Sequence, residues 1–88
     1  MNDPSQVPPA RLRWRCRRGM QELDVMLGGW LDEAWPEADP RERESFERLL
    51  EVEDDRLWDW FLGRTPPDKG LEDIVESIRA RHFTSSGR

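Results

Sequence analysis

The chain has one cysteine, Cys16, one histidine, His82, and no tyrosine. A lone cysteine excludes an intrachain disulfide, which fits a reducing compartment. Cys16 has no base partner in view, although its arginine neighbours are of the sign that lowers a thiol pKa; the other reading is a buried, idle thiol. No cysteine–histidine spacing suits zinc, and there is no glycine-rich phosphate loop or dinucleotide fingerprint. No nucleophile–base pair stands out either, so catalysis by this chain alone is not expected. No apolar run approaches the ~18 residues that a membrane span needs. The opening MNDPSQVPPA has neither the basic start nor the apolar stretch of a secretory signal, and Asp3, Pro4, Pro8 and Pro9 fit a mitochondrial presequence poorly. The expectation is a cytoplasmic, bacterial-type protein without membrane insertion.

What remains is small and charged. Eighty-eight residues allow one domain with a modest core. Charged residues make up 38% of the chain, yet five Trp and repeated Leu, Ile and Val clusters argue against full disorder. The net charge of −5 is unevenly placed: residues 1–18 carry five Arg against one Asp, and residues 19–88 carry nine Arg/Lys against eighteen Asp/Glu. The body repels polyanions, whereas the N-terminal arm attracts them.

No stretch alternates as a strand would, and no repeat is visible. Apolar residues recur instead at helical spacing, predicting an all-α fold of five short helices. Residues 1–7 read as a disordered lead, 8–83 as a single helical domain and 84–88 as a frayed tail. The first helix runs from Pro8 to about Arg17, with Leu12 and Trp14 as its apolar anchors. The second runs from about Met20 to Trp35 with Leu23, Met26, Leu27, Trp30, Leu31 and Ala34 on one face, and Pro36 stops it. Asp39 caps the third, with Pro40 at its first position, Glu42 where a capping-box glutamate belongs, and Phe46, Leu49 and Leu50 inward. The fourth starts after Asp54 or Asp55 and stops near Gly63, with Leu57, Trp58, Phe61 and Leu62 as core candidates. The fifth starts near Asp68 and buries Leu71, Ile74, Val75 and Ile78.

Two segments are candidates for function. The first is Arg17-Arg18-Gly19-Met20-Gln21-Glu22, at the boundary between arginine arm and acidic body. If the second helix extends back to Arg18, then Arg18, Glu22, Val25 and Gly29 share the face opposite the Leu23 stripe. Such a strip suits docking, with glycine permitting close approach of another backbone. An ordinary surface pair also fits, since Arg and Glu four apart stabilise a helix by only ~0.2–0.5 kcal/mol. Gly19 serves either contact or the turn into the helix. The second segment is Asp59-Trp60. The apolar residues of the fourth helix span roughly 200° of arc, wider than the ~100° of an ordinary core stripe. Either the helix is buried on two sides or Trp60, at the edge of the arc beside Arg56 and Asp59, reaches solvent as an interface anchor.

The arginine arm with Trp14 among five Arg residues offers a third reading, stacking and charge for single-stranded nucleic acid. The sequence pI of about 4.9 opposes it, and pairing of the arginines with acidic protein surfaces is the alternative.

The text RRGMQELD at 17–24, with FERLLE at 46–51 and LWDWFLG at 57–63, resembles the SdhE family, the flavinylation assembly factors of succinate dehydrogenase. The resemblance covers about residues 11–82. It implies a five-helix bundle that binds the flavoprotein subunit of succinate dehydrogenase, with that of fumarate reductase as a second candidate, and promotes covalent FAD attachment to that subunit's own histidine. It also implies that Arg18, Gly19 and Glu22 contact the flavoprotein, and it matches Asp59-Trp60 to the family's acidic-or-amide residue followed by Trp. A monomer that retains no FAD is expected. A nucleic-acid-binding regulator using the arginine arm and an antitoxin-like protein binder are the two alternatives to this assembly-factor reading.

Overall fold

A computed structural model of the protein describes residues 8–86, and the side chains of residues 8–83. Among the described residues there are five α-helices and no strand: α1 Ala10–Arg15, α2 Gln21–Glu33, α3 Pro40–Leu49, α4 Asp54–Leu62 and α5 Glu72–Ser86. A short 3-10 turn, Trp35–Glu37, follows α2. The all-α, five-helix expectation holds; the lead at residues 1–7 and the last two residues lie outside the described residues.

The helix boundaries follow local chemistry. α1 is shorter than expected, because Pro8 and Pro9 precede the helix rather than open it; Pro9 is extended at the N-cap and accepts from the Leu12 amide. α2 ends two residues early, at Glu33, and Pro36 falls in the 3-10 turn that takes the chain away from it. α3 has the full capping box: the Glu42 amide donates to Asp39 Oδ1 at 2.7 Å, and the Asp39 amide donates to Glu42 Oε1 at 3.1 Å. α4 stops at Gly63, whose φ of 77° is left-handed, and the Arg64 amide closes back on the Asp59 carbonyl at 2.8 Å in a Schellman-type cap. α5 begins four residues later than expected, because Gly70 at φ 93° turns the chain first. With no proline or glycine before Gly87, α5 then continues through Ser86, three residues into the expected frayed tail.

α2 lies centrally. Leu23, Met26, Leu27, Trp30 and Leu31 are all buried, as their spacing predicts. Trp30 stacks on Phe46 of α3 at 4.5 Å between ring centroids, and its indole N–H donates to Ser77 Oγ of α5 at 3.1 Å. One side chain thus ties three helices, through both its apolar body and its polar edge. Trp35, which the helical stripe omitted, completes this aromatic cluster edge-on to both rings. Arg43 covers it with a cation–π contact at 4.8 Å and donates to its carbonyl at 2.8 Å, holding the 3-10 turn against α3. Leu71, Ile74, Val75 and Ile78 bury the inward side of the α5 segment.

Three apolar assignments change. Trp14 is not an anchor of α1: it is 69% exposed, while Leu12 and Cys16, one turn apart, face inward. Leu62 lies at the surface beside the α4 cap. Trp60 is 3% exposed and Trp58 half-buried, so the wide arc of α4 reflects burial on two sides, with Arg56 covering the Trp60 ring at 5.3 Å.

Replacing Asp39 by Ala removes the acceptor for the Glu42 amide and is expected to cost about 1 kcal/mol. In a urea titration the midpoint falls while the slope is retained.

Candidate functional site

The linker between α1 and α2 decides how the Arg-Gly-x-x-Glu element is displayed. α2 starts at Gln21 with Met20 as an extended N-cap, so Arg18 and Gly19 lie before the helix, not on it. The expected alignment of Arg18 with Glu22, Val25 and Gly29 is therefore corrected. The Arg18 side chain is only 12% exposed and turns toward the α3–α4 connection. Its Nη1 donates to the Leu50 carbonyl at 2.8 Å, its Nη2 to the Val52 carbonyl and its Nε to Asp54 Oδ1 at 2.7 Å. Leu50 is the C-cap of α3, where carbonyls lack helical partners and the dipole favours a cation. A planar guanidinium with five donors suits such a site, and it closes the end of α3 while pairing with the first residue of α4.

Asp54 receives the other half of the linker. Its Oδ2 accepts the Gly19 amide at 3.1 Å, while the Arg18 amide donates to the Asp24 carboxylate in the first turn of α2. The Arg18 hydrogen bond holds the Asp54 carboxyl below its usual range; the Gly19 amide and the guanidinium charge add to this, and partial burial opposes it. Gly19 is among neither of the positive-φ glycines, and a Cβ there would meet only Asp54 Oδ2 at 3.4 Å, an ordinary contact. The turn does not require glycine.

Beyond the linker, Glu22, Val25 and Gly29 do share one face of α2. Glu22 is exposed, Val25 is 54% exposed and Gly29 half-buried. The Glu22 carboxylate meets His82 Nε2 of α5 at 3.0 Å, and Glu33 meets Arg81 at 3.6 Å, so α5 runs beside this face. Sequence spacing gave no sign that residues 81 and 82 would arrive there.

The remaining candidates stand apart. Arg17 is exposed and lies over the Trp14 ring at 5.4 Å. Asp59 is half-buried within the α4 cap, its carbonyl taken by Arg64. Trp60, buried under Arg56, presents no free aromatic face. No hydrogen bond, ion pair or ring contact described here connects Asp59 or Trp60 to Glu22 or Arg18. Cys16 is buried, and burial pushes its thiol up to about 11, outweighing Arg13 and Arg18. Among the described residues, no group of three His, Cys, Asp or Glu is placed to hold a metal ion, and no helix is long and apolar enough to cross a membrane.

The geometry is thus a fixed linker leading into an exposed acidic-to-apolar helix face. The model of the Sdh5 family, flavinator of succinate dehydrogenase, matches residues 10–82, the whole of that linker and face included. The chain belongs to this family. It is 48% identical over 77 residues to the FAD assembly factor SdhE of Colwellia psychrerythraea, covering 86% of this chain and 85% of that protein. It is 45% identical over 82 residues to the SdhE of Xylella fastidiosa strain Temecula1, covering 89% and 84%. With the SdhE of Coxiella burnetii it shares 38% identity over 80 residues, covering 90% and 95%. The family resemblance drawn from RRGMQELD, FERLLE and LWDWFLG is thereby established over residues 10–82.

Replacing Asp54 by Asn leaves the 12%-exposed Arg18 without its counter-charge and is expected to lower stability by about 1–3 kcal/mol. Because folding depresses the Asp54 pKa, its stabilisation is complete above the ordinary value of 3.8 and is lost as pH falls through the folded value. The variant therefore shows a shallower loss of stability on acidification, measured by urea midpoints between pH 7 and pH 3. The Cys16 thiol is expected to react with a disulfide reagent only at the rate of unfolding, because it is buried and protonated at neutral pH.

Proposed function

We propose that this protein binds the flavoprotein subunit of succinate dehydrogenase and promotes covalent attachment of FAD to it. The family match across residues 10–82 carries the proposal, since it spans both the Arg18 linker and the Glu22 face. The shape of the site supports the same reading. The face is exposed and leaves a linker that Arg18 anchors on the α3–α4 connection, which fits a docking surface for a protein. The attachment reaction resides in the flavoprotein, at its own acceptor histidine, and this chain retains no FAD. It acts as a monomer in the cytoplasm and serves fumarate reductase as well where that enzyme is present.

The chain works by differential affinity. It binds the flavoprotein in the arrangement that places FAD against the acceptor histidine, and it thereby raises the population of that arrangement. A ligand with equal affinity for both arrangements would shift nothing. Glu22, Val25 and Gly29 meet the flavoprotein directly, with Gly19 at the edge of the contact. Arg18 acts behind them by holding the linker on Leu50, Val52 and Asp54.

The arginine arm gives the nucleic-acid reading little support. Arg11 pairs with Glu47 at 3.1 Å, Arg13 with Asp32 at 2.7 Å and Arg18 with Asp54, so three of the five arginines are taken up by the chain's own carboxylates. The arm neutralises the acidic body instead of extending from it.

In a strain lacking this protein, in-gel flavin fluorescence of the succinate dehydrogenase flavoprotein is expected to fall severalfold. Complementation with the wild-type gene restores it, whereas Glu22→Ala and Gly19→Arg restore it poorly. Circular dichroism of both variants matches the wild type, because neither residue is needed inside the fold. Normal flavinylation in the deletion strain would refute the proposal, and loss of helix in both variants would make the motif a structural one.

A further inference from the structure

A cleft of about 320 Å³ opens between α2 and α5, beside the Glu22 face. Its floor is Met26 and Trp30, its mouth Val25 and Gly29, and its rim the Glu33–Arg81 pair and His82. We propose that this cleft receives an apolar side chain of the flavoprotein, one flanked by basic groups, and that His82 is a positioning residue that fixes Glu22 at the rim. The inference rests on the assembly-factor reading and deepens it.

Four observations converge on the cleft. Its floor is apolar, with Met26 and Trp30 2% and 1% exposed, so an inserted side chain adds contact without uncovering a polar group. Val25, at the mouth, is 54% exposed and so makes little packing inside the chain. Gly29 occupies the middle of α2, where glycine costs about 1 kcal/mol relative to alanine. Neither a positive φ nor a crowded Cβ calls for it, since a Cβ there meets nothing within 4 Å. What the missing side chain does is keep the mouth open. The rim carboxylates point the same way: beside His82 and Arg81, the Glu22 and Glu33 side chains stay 52% and 63% exposed, open to basic groups that flank the apolar one.

His82 completes the arrangement. A carboxylate can only accept, so Nε2 donates to Glu22 Oε2 across 3.0 Å. The bond joins residues 60 apart in sequence and holds the carboxylate in place before the partner arrives. Pre-organisation of this kind lowers the entropy cost of binding.

The test is the affinity of purified full-length protein for the purified flavoprotein subunit, by isothermal titration, with a thermal melt of each variant. Gly29→Leu fills the mouth and is expected to weaken binding about tenfold, the loss of one anchoring contact, at an unchanged or raised melting temperature. His82→Leu weakens binding while His82→Gln, which keeps an N–H donor, restores most of it. Should Gly29→Leu destabilise the fold, Val25→Ser at the exposed mouth replaces it with the same expected direction. Wild-type affinity in Gly29→Leu or Val25→Ser overturns the cleft while leaving the assembly reading intact. Equal losses in His82→Leu and His82→Gln overturn the positioning role. A wild-type dimer that Gly29→Leu converts to monomer makes a second copy the occupant and overturns the proposal. Absence of wild-type binding to the flavoprotein overturns this inference together with the reading on which it rests.

Discussion

One guanidinium organises the lower half of this bundle. Arg18 spends its donors on the Leu50 and Val52 carbonyls and on Asp54, which joins the α1–α2 linker to the end of α3 and the start of α4. Each of those groups would otherwise need water in a partly buried corner, where an unmet polar group costs about 1–3 kcal/mol. Asp54 is the complementary half, holding Arg18 with one oxygen and the Gly19 amide with the other. Because α2 leaves this linker directly, the direction of the whole Glu22 face is set here. With an 88-residue chain and a correspondingly small core, a charged node of this kind carries structural weight that a larger domain would assign to packing.

The Arg-Gly-x-x-Glu element therefore divides between two tasks. Its arginine faces inward and its glutamate outward. A short motif that looks like one recognition unit is a part-buried structural base joined to an exposed helix face. Loss of the arginine redirects the helix, whereas loss of the glutamate leaves the helix where it was and removes a charge from its surface.

Much of the fold was legible because it depends on neighbours in sequence. The Leu23–Leu31 stripe, the Asp39–Glu42 capping box and the Gly63 stop are each set within one or two turns, and each stands as the residues imply. Apart from helix ends shifted by nearby Pro and Gly residues, the readings that changed hinge on distant partners. Whether Arg18 continues α2 depends on carbonyls more than thirty positions away. Trp60 is buried and Trp14 exposed because of how other helices lie across them, which no local arc reveals. His82 and Arg81 reach the Glu22 face from the far end of the chain, and an unpatterned terminal segment gives no hint of that. Of the candidate site, Glu22, Val25 and Gly29 were readable from helical geometry; their neighbours on α5 were not.

The Arg18–Asp54 bond spans 36 residues, and the Glu22–His82 bond spans 60. Contacts between such remote positions carry the largest loop-closure cost and reward the chain only after the intervening helices have formed. Helix content and a presentable surface are consequently different milestones in the maturation of this protein. A chain in which these two bonds have not closed has no aligned face to offer, whatever its helix content. Engagement of a client thus reports that the assembly factor has itself finished folding.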